Sequence, residues 1–348
     1  MTKAEKIKTF DPNGVALSEQ LFGLPFTESE SETVILPVPW EVTVSYATGT
    51  AQAPDAIAEA SLQVDLFDPF LKDAWKHGIF MKEIDTDLQE RSNKLRKKAE
   101  KYIDSLTNES DFNDYEESLE KINKACAKMV KWVEAEMLEI IDSGKNPVLL
   151  GGDHSTPLGF IKALSQKHKD FGILQIDAHA DLRNAYEGFT YSHASIMFNA
   201  LKVDAVSKLV QVGIRDYCEE EAQLIEANPN RISCYYDRDL KAAQYKGENW
   251  NTICEGIIEK LPQKVYVSFD IDGLDPKLCP NTGTPVAGGF ETEEVLFLLE
   301  KVVESGHEII GFDLNEVAPG KDEWDANVGA RLLYRLCNIM VKSKSNIS

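Results

Sequence analysis

The chain has 348 residues, of which 37 are Lys or Arg and 58 are Asp or Glu, so its formal net charge at pH 7 is −21. This acidic excess excludes a protein that binds nucleic acid through a general basic surface, because phosphate contacts need Lys and Arg, and it favours a small cationic ligand. A hydrophobic content of 43% excludes a disordered or collagen-like chain.

Short apolar segments that end near Gly, Pro or Asp recur along the chain and predict strands. Their hydrophobicity is continuous rather than alternating, as expected of strands that are covered on both faces in a parallel sheet. Helical segments lie between them, over residues 156–166, 193–201 and 292–305, and this alternation predicts a three-layer α/β/α fold around a mostly parallel sheet. The predicted strands are 33–40, 146–152, 171–177, 208–214, 263–272 and 307–315.

Residues 82–145 depart from this alternation and are predicted to form two helices joined by the segment TNESDFND. The second helix carries an apolar stripe from Leu119 to Ile140, at spacings of three and four residues, and its charged residues are expected to form a solvated face. A coiled coil that binds a partner is the alternative, disfavoured because the apolar heptads are not sustained. Because the sequence contains no Pro-rich linker or internal repeat, we predict one domain over residues 1–348, with a helical insertion at 82–145.

The six cysteines are far apart and form no C-x-x-C pair, which is typical of reduced thiols. Residues 1–14 lack the apolar core of a signal peptide, and no stretch of the sequence reaches the roughly 18 apolar residues that a membrane helix needs. We therefore expect a cytoplasmic protein that binds neither a membrane nor nucleic acid.

Three of the predicted strands end in motifs that contain metal-binding residue types. Ligands of open α/β sheets bind beyond the carboxyl ends of the strands, which is where all three motifs lie. Each motif alone is compatible with an ordinary structural role, since Asp at a strand end commonly forms a turn or caps a helix, and an isolated His is more often a core residue. The motifs are GGDHS with Asp153 and His154, DAHAD with Asp177, His179 and Asp181, and FDIDGLDP with Asp270 and Asp272.

The motif DAHAD is hard to account for without a cation. Asp177, His179 and Asp181 are spaced two residues apart, so an extended backbone would point all three side chains to one side. Two carboxylates beside a His would repel each other and lose hydration unless a cation compensated them.

Charge predicts how many ions the three motifs hold. Their two imidazoles and four carboxylates would almost neutralise two divalent ions, whereas a single ion would leave the set anionic. Ligands that are mostly oxygen, with no thiolate, favour Mn²⁺ and leave Ni²⁺, Co²⁺ or Fe²⁺ open. A water shared by two such ions loses a proton near neutral pH and becomes a nucleophile.

Together, the motifs resemble those of the ureohydrolase family, which includes arginase, agmatinase and formimidoylglutamase. The segments GGDHS, DAHADLR followed by YSHAS, SFDIDGLDP and a late DLNEVAP occur in the order and approximate spacing of that family. The resemblance runs from about Val34 to the C-terminal helix and implies an arginase-like fold with two Mn²⁺ per chain. It implies hydrolysis of a small guanidino substrate to urea and an amine, and assembly into a homo-oligomer, a trimer or a hexamer.

The resemblance also implies roles for single residues. His193, in YSHAS, matches the position that transfers a proton, and Glu316, in DLNEVAP, matches the carboxylate that pairs with the guanidinium group. Asp181 or His193 would protonate the departing nitrogen, because an alkylamide cannot leave at pH 7. For the metals, the resemblance implies that His154 and Asp181 bind one ion, that His179 and Asp272 bind the other, and that Asp177 and Asp270 bridge them.

Segments near the motifs favour agmatine as the substrate. In VGIRDYCEEE, Cys218 stands where the arginase pattern repeats an acidic residue after Asp216, which argues against a clamp for a substrate α-amino group. The segment DAHADLR, with YEG and YSHAS, resembles agmatinases. Because Gln52 and Ala53 depart from the family form at the pocket rim, aminopropylagmatine, guanidinobutyrate, guanidine, arginine and formimidoylglutamate stay open.

Two other enzyme classes share parts of this pattern. Dinuclear metallophosphoesterases use D-x-H and G-D elements, but they carry a further G-N-H-D/E element that this sequence lacks, and histone-deacetylase-type zinc enzymes bind one metal. A metal-binding protein without activity is disfavoured because all six expected ligands are present. The Gly-rich segment 281–289 lacks the Lys of a phosphate loop, so we interpret it as a turn over the pocket rather than a nucleotide site.

Overall fold

A single parallel sheet organises the part of the chain that the computed structural model describes, residues 1–16, 18–107 and 113–345. Its eight strands are β1 (Thr33–Val38), β2 (Ile79–Met81), β3 (Asn146–Gly151), β4 (Phe171–Ile176), β5 (Val206–Ile214), β6 (Ile232–Tyr236), β7 (Lys264–Asp270) and β8 (Glu308–Asn315). They lie in the order β2-β1-β3-β8-β7-β4-β5-β6, and every pairing between these described strands is parallel. The predicted mostly parallel sheet is confirmed.

Helices cover both faces of this sheet, as the three-layer prediction requires. Successive residues of β3 belong to different hydrophobic cores. Val148 and Leu150 lie in the core on one face of the sheet, and Leu149 lies in the core on the other face. Because both faces are buried, the strands need apolar residues at successive positions. The helices are α1 (Lys3–Thr9), α2 (Ala53–Ser61), α3 (Thr86–Thr107), α4 (Asn113–Asp142), α5 (Leu158–Lys167), α6 (Ile196–Ala200), α7 (Glu219–Ala227), α8 (Asp237–Tyr245), α9 (Trp250–Ile258), α10 (Thr292–Glu304) and α11 (Trp324–Ser345).

The region 82–145 forms the two predicted helices, α3 and α4, and residues 108–112 of the segment between them lie outside the described residues. The apolar stripe of α4 is buried, with Ile122, Met129 and Val133 almost inaccessible to solvent. Helix α5 packs closely against it, since a Cβ at Gly159 would lie 2.3 Å from the carbonyl oxygen of Val130. The interpretation of this pair as an insertion within one domain stays a prediction.

Four neighbouring strands, β3, β8, β7 and β4, place the three motifs and DLNEVAP at one edge of the sheet. Two predicted boundaries differ in detail. Strand β7 ends at Asp270 because the Asp270 carboxylate accepts from Asp272 N at 2.8 Å, which turns the chain into a short 3₁₀ helix. The predicted helix 193–201 is a 3₁₀ turn at His193–Ser195 followed by α6. Among the described residues, none of the helices combines the length and apolar character needed to cross a bilayer.

Candidate active site

The carboxyl ends of three of these strands, β3, β4 and β7, bring the six predicted metal ligands together, and β8 adds Glu316. Two overlapping sets of side chains have ligand atoms within 4.8 Å of one another and can hold an ion. The first set is His154, Asp177 and Asp270, and the second is Asp177, His179 and Asp272. Because Asp177 belongs to both sets, the geometry suits a pair of neighbouring cations with one carboxylate between them.

Asp181, the sixth predicted ligand, lies beside the first set. Nδ1 of the buried His154 is 2.9 Å from Asp181 Oδ2, 3.1 Å from Asp177 Oδ2 and 3.3 Å from Asp270 Oδ2. This nitrogen has no hydrogen-bond partner within the described part of the chain. A buried nitrogen without a partner, surrounded by three carboxylates, fits coordination of a cation.

A hydrogen-bond relay orients the His154 ring. Its Nε2 lies 2.9 Å from Ser268 Oγ, and that hydroxyl donates to Asp313 Oδ1 at 3.1 Å. Since Asp313 can only accept when ionised, the relay makes Nε2 the protonated nitrogen and leaves the Nδ1 lone pair facing the carboxylates. The sequence interpretation did not assign Ser268 or Asp313, although Ser268 directly precedes the FDIDGLDP motif.

The second set is held by its own local contacts. His179 Nδ1 lies 3.0 Å from Asp272 Oδ2 and 3.7 Å from Asp177 Oδ1. Asp177 also accepts from His179 N at 2.6 Å and from Gln175 Nε2 at 2.7 Å. These bonds fix the Asp177 carboxylate between the two imidazoles, which is the position a shared ligand needs.

The backbone of the DAHAD motif leaves the strand and turns within the motif. Strand β4 ends at Ile176. Asp181 has a φ of 55°, which lies in the left-handed region that residues other than Gly rarely adopt. The three side chains converge although strand β4 ends before the motif and the backbone turns at Asp181. Strained backbone of this kind commonly occurs at functional sites.

Burial raises the cost of charge on these carboxyl groups. Burial and then the charge of Asp177 raise the pKa of Asp181 to about 7. Burial, followed by the charges of Asp272 and Asp177, raises the pKa of Asp270 well above its ordinary value. Divalent cations would remove this penalty, because they favour the ionised carboxylates that bind them.

Glu316 lies next to the metal ligands at the end of β8. Its Oε1 accepts from His154 N at 2.8 Å, and its backbone has a φ of 62°. Burial, and then the charge of Asp153, raises the pKa of this carboxyl well above its usual range. A cation that docked against Glu316 would favour the ionised form.

His193 borders the same cavity from the turn before α6. Burial and then the charges of His179 and His154 lower the pKa of its imidazole to about 3. The ring is therefore neutral near pH 7, and one of its nitrogens carries a lone pair. His193 belongs to neither ligand set among the described residues, in keeping with a role other than metal binding.

A cavity of about 140 Å³ opens over these groups. Five of the residues that line it carry carboxylates: Asp181, Asp216, Glu221, Asp270 and Glu316. Arg183 is the single basic Lys or Arg side chain among the described lining residues. Its Nε lies 3.8 Å from the Glu221 carboxylate. The cavity thus suits a cationic ligand better than an anionic one.

Comparison with known proteins identifies the family of this chain. A family model described as the arginase family matches residues 31–338. The chain belongs to the arginase family. The N(1)-aminopropylagmatine ureohydrolase of Synechocystis sp. is 30% identical over 320 residues, which cover 89% of this chain and 92% of that protein. The agmatinase of Bacillus anthracis is 30% identical over 300 residues, covering 85% of this chain and 87% of that protein.

The arginase-like fold is confirmed in the same way. The crystal structure of the agmatine ureohydrolase of Thermoplasma volcanium superposes with a TM-score of 0.71 at 22% sequence identity, covering 98% of this chain and 99% of that one. As an arginase-family ureohydrolase, the protein is a hydrolase of linear amidine C–N bonds, which the motifs predicted.

Several residues around this arginase-family site were not assigned from the sequence. The Arg215 guanidinium donates to the carbonyl oxygens of Asp272 at 2.6 Å and Leu274 at 3.1 Å, so it holds the turn that carries a predicted metal ligand. It also donates to Val286 O at 3.1 Å, within the Gly-rich segment interpreted as a turn over the pocket. Arg183 and Tyr186 line the cavity and lie in DLRNAYEG, which the sequence had linked only to substrate class.

Proposed function

We propose that the protein is a ureohydrolase that uses two Mn²⁺ ions to hydrolyse agmatine to putrescine and urea. The observation that carries this proposal is the pair of ligand sets that share Asp177 and open into an anionic cavity. His154 and Asp181 would hold one ion, His179 and Asp272 the other, and Asp177 and Asp270 would lie between them.

Chemistry of the ligands supports manganese. Two imidazoles and four carboxylates, with no thiolate, suit Mn²⁺, while Ni²⁺ or Co²⁺ is the alternative. When bound, such a pair of ions supplies a nucleophilic oxygen from water near neutral pH. The protein's part is to orient the ligands, and the relay from His154 through Ser268 to Asp313 does this for one imidazole.

The other site residues act on the substrate. Glu316 faces the cavity beside the ligand sets, where its carboxylate can pair with the guanidinium group and orient the carbon for attack. His193 or Asp181 would deliver a proton to the departing nitrogen, and the lowered pKa of His193 means that a proton on its ring is given up readily. Urea and a protonated primary amine then leave.

Agmatine is favoured over arginine by the charge of the cavity. A substrate carboxylate would meet Asp216 and Glu221, the two lining carboxylates that are neither proposed metal ligands nor the partner of the guanidinium group, and the one Arg of the described lining already pairs with Glu221. Agmatine carries no carboxylate and has a second cationic group. The relatives named agmatinase and N(1)-aminopropylagmatine ureohydrolase support the same substrate class and make aminopropylagmatine the second candidate.

The test uses the purified protein loaded with Mn²⁺. Metal per chain is measured by elemental mass spectrometry, and urea release is measured with agmatine, aminopropylagmatine, guanidinobutyrate, arginine and guanidine. We expect two ions per chain and the highest kcat/KM with agmatine. Two ions with no urea from any of these compounds would refute the proposal and favour a phosphoesterase or a metal-binding protein without activity.

A variant of the substrate-binding carboxylate separates binding from metal loading. Glu316→Gln keeps an oxygen to accept from His154 N but loses the negative charge. We expect it to retain two ions and to lose most urea release.

We also propose that the protein is cytoplasmic and that it assembles as a trimer or hexamer. Light scattering of the purified protein would test the assembly.

A further inference from the structure

Two loops form the rim of the cavity on the side of helices α3 and α4. Rim loop A, residues 41–51, contributes Ser45 to the lining, and rim loop B, residues 186–193, contributes Tyr186 and His193. Side chains of the two helices, which are far from the loops in sequence, anchor both loops. The contacts are specific hydrogen bonds rather than general packing.

Helix α3 anchors rim loop A. The guanidinium of Arg96, which is 8% exposed, donates through Nη1 to the carbonyl oxygens of Val44 and, at 3.5 Å, Val42. One helical turn earlier, the buried Ser92 hydroxyl accepts from Glu41 N at 3.0 Å. Two side chains of α3 thus hold the beginning of this loop.

Glu41 then closes the loop on itself. Its Oε2 accepts from Gly49 N at 2.6 Å and from Ala51 N at 3.3 Å. Because the amide of Glu41 is bound to Ser92 on α3 and its carboxylate binds the far end of the loop, the helix sets the position of the whole segment.

Helix α4 anchors rim loop B through Asn123. Its Nδ2 donates to Gly188 O at 3.0 Å, and its Oδ1 accepts from Thr190 N at 2.9 Å. Gly188 has a φ of 83°, and a Cβ there would lie 2.9 Å from Tyr102 Oη of α3. The Tyr102 ring also packs edge-on against Phe189, with ring centroids 5.3 Å apart. Both helices therefore contact this loop.

The two rim loops meet at His193. Its backbone N donates to Thr43 Oγ1 at 3.3 Å. Thr43 is fully buried and lies between Val42 and Val44, the two residues whose carbonyl oxygens Arg96 binds. The position of the His193 backbone is thus set from both sides, by α3 through Thr43 and by α4 through the Asn123 bonds three and five residues earlier.

We propose that helices α3 and α4 position the cavity rim, with Arg96 and Asn123 as positioning residues that set His193 relative to the substrate. The inference rests on the proposed function, because it assigns its effect to proton transfer by His193. Neither Arg96 nor Asn123 lines the cavity in the described structure, so both act through the loops.

The principal variant is Asn123→Ala, which removes both bonds to rim loop B and keeps a residue that favours helix. Asn93→Ala, an exposed position on α3, is the matched control. We expect Asn123→Ala to lower kcat about tenfold with KM nearly unchanged, because small misplacements of a group that acts in the transition state reduce turnover. Both variants should hold two ions per chain. An unchanged kcat in Asn123→Ala would overturn the proposal.

A double-mutant cycle distinguishes positioning of His193 from a general loss of order. If Asn123 acts through His193, adding Asn123→Ala to His193→Asn lowers kcat no further, whereas independent effects multiply. Multiplying effects would overturn the proposal. Arg96→Met provides a second test should Asn123→Ala fold poorly, with the same expected non-additivity, because Met keeps an unbranched apolar chain but cannot donate to either carbonyl.

Hydrogen exchange provides a measurement that does not need activity. In Asn123→Ala, the amides of residues 186–193 should exchange faster than in the unmodified protein, while Asn93→Ala should leave them unchanged. Equal protection in all three proteins would refute the anchoring itself. If the unmodified protein released no urea, the proposed function would fail, yet this exchange result would still decide whether α4 anchors the rim.

Discussion

Replacing Ser268 with Ala tests the relay that orients His154. The substitution removes the hydroxyl that lies 2.9 Å from His154 Nε2 and donates to Asp313 at 3.1 Å. The imidazole then loses the partner that fixes which of its nitrogens carries the proton. We expect weaker metal binding. The lone pair of Nδ1 is available to a metal ion only while the proton of the imidazole is on Nε2.

The size of the effect follows from burial. His154, Ser268 and Asp313 are each at most 1% exposed, so water cannot replace the lost hydroxyl. Losing one such partner of a ligand lowers metal affinity by about 10–100-fold, or about 1.4–2.7 kcal/mol. The unsatisfied Nε2–H should cost the metal-free protein a further 1–3 kcal/mol or so of unfolding free energy.

Mn²⁺ affinity is measured by competition with a chelator of known affinity, and unfolding by urea denaturation of the metal-free protein. Ser165→Ala is the control, since that hydroxyl donates locally to Lys162 O within α5. Activity of Ser268→Ala at saturating Mn²⁺ should approach that of the unmodified protein. An unchanged Mn²⁺ affinity in Ser268→Ala would show that the relay does not control the ligand.

Three further predictions concern the same site. Asp177→Asn should lower bound metal below two ions per chain and abolish urea release while the sheet still forms, as circular dichroism would show; full activity would contradict a shared ligand. Gly152→Ala should destabilise the protein by about 1–3 kcal/mol, because its Cβ would lie 2.0 Å from Trp40 O; an unchanged melting temperature would count against this contact. His193 has a pKa of about 3 in the folded protein, against an ordinary value of 6.5. Between these two pH values the unfolded chain binds more protons than the folded protein. The free energy of unfolding therefore decreases as the pH falls from 6.5. His193→Asn should therefore lose less stability between pH 7 and pH 5, by denaturation, than the unmodified protein, and equal losses would argue against a depressed pKa.

The class of fold could be predicted from local patterns. Continuous apolar strands and amphipathic helices report burial on both faces of a sheet, which needs no knowledge of distant contacts. Edge strands carry this signal weakly: β2 has three residues, and β6 is mostly half-buried, so neither was predicted. Ligand types and their spacing likewise indicated a pair of metals, because carboxylates crowded around a His repel one another unless cations neutralise them.

Tertiary structure decided how these pieces meet. Strands β8 and β7 lie between β3 and β4, and only this order brings Ser268 and Asp313 beside His154 and places Glu316 over the ligand sets. The anchoring of the rim is equally long-range, since Arg96 binds Val44 across 52 residues of sequence and Asn123 binds Gly188 across 65. Hydrogen bonds between segments so far apart depend on how the whole sheet is ordered, and no local pattern of residue types encodes that order.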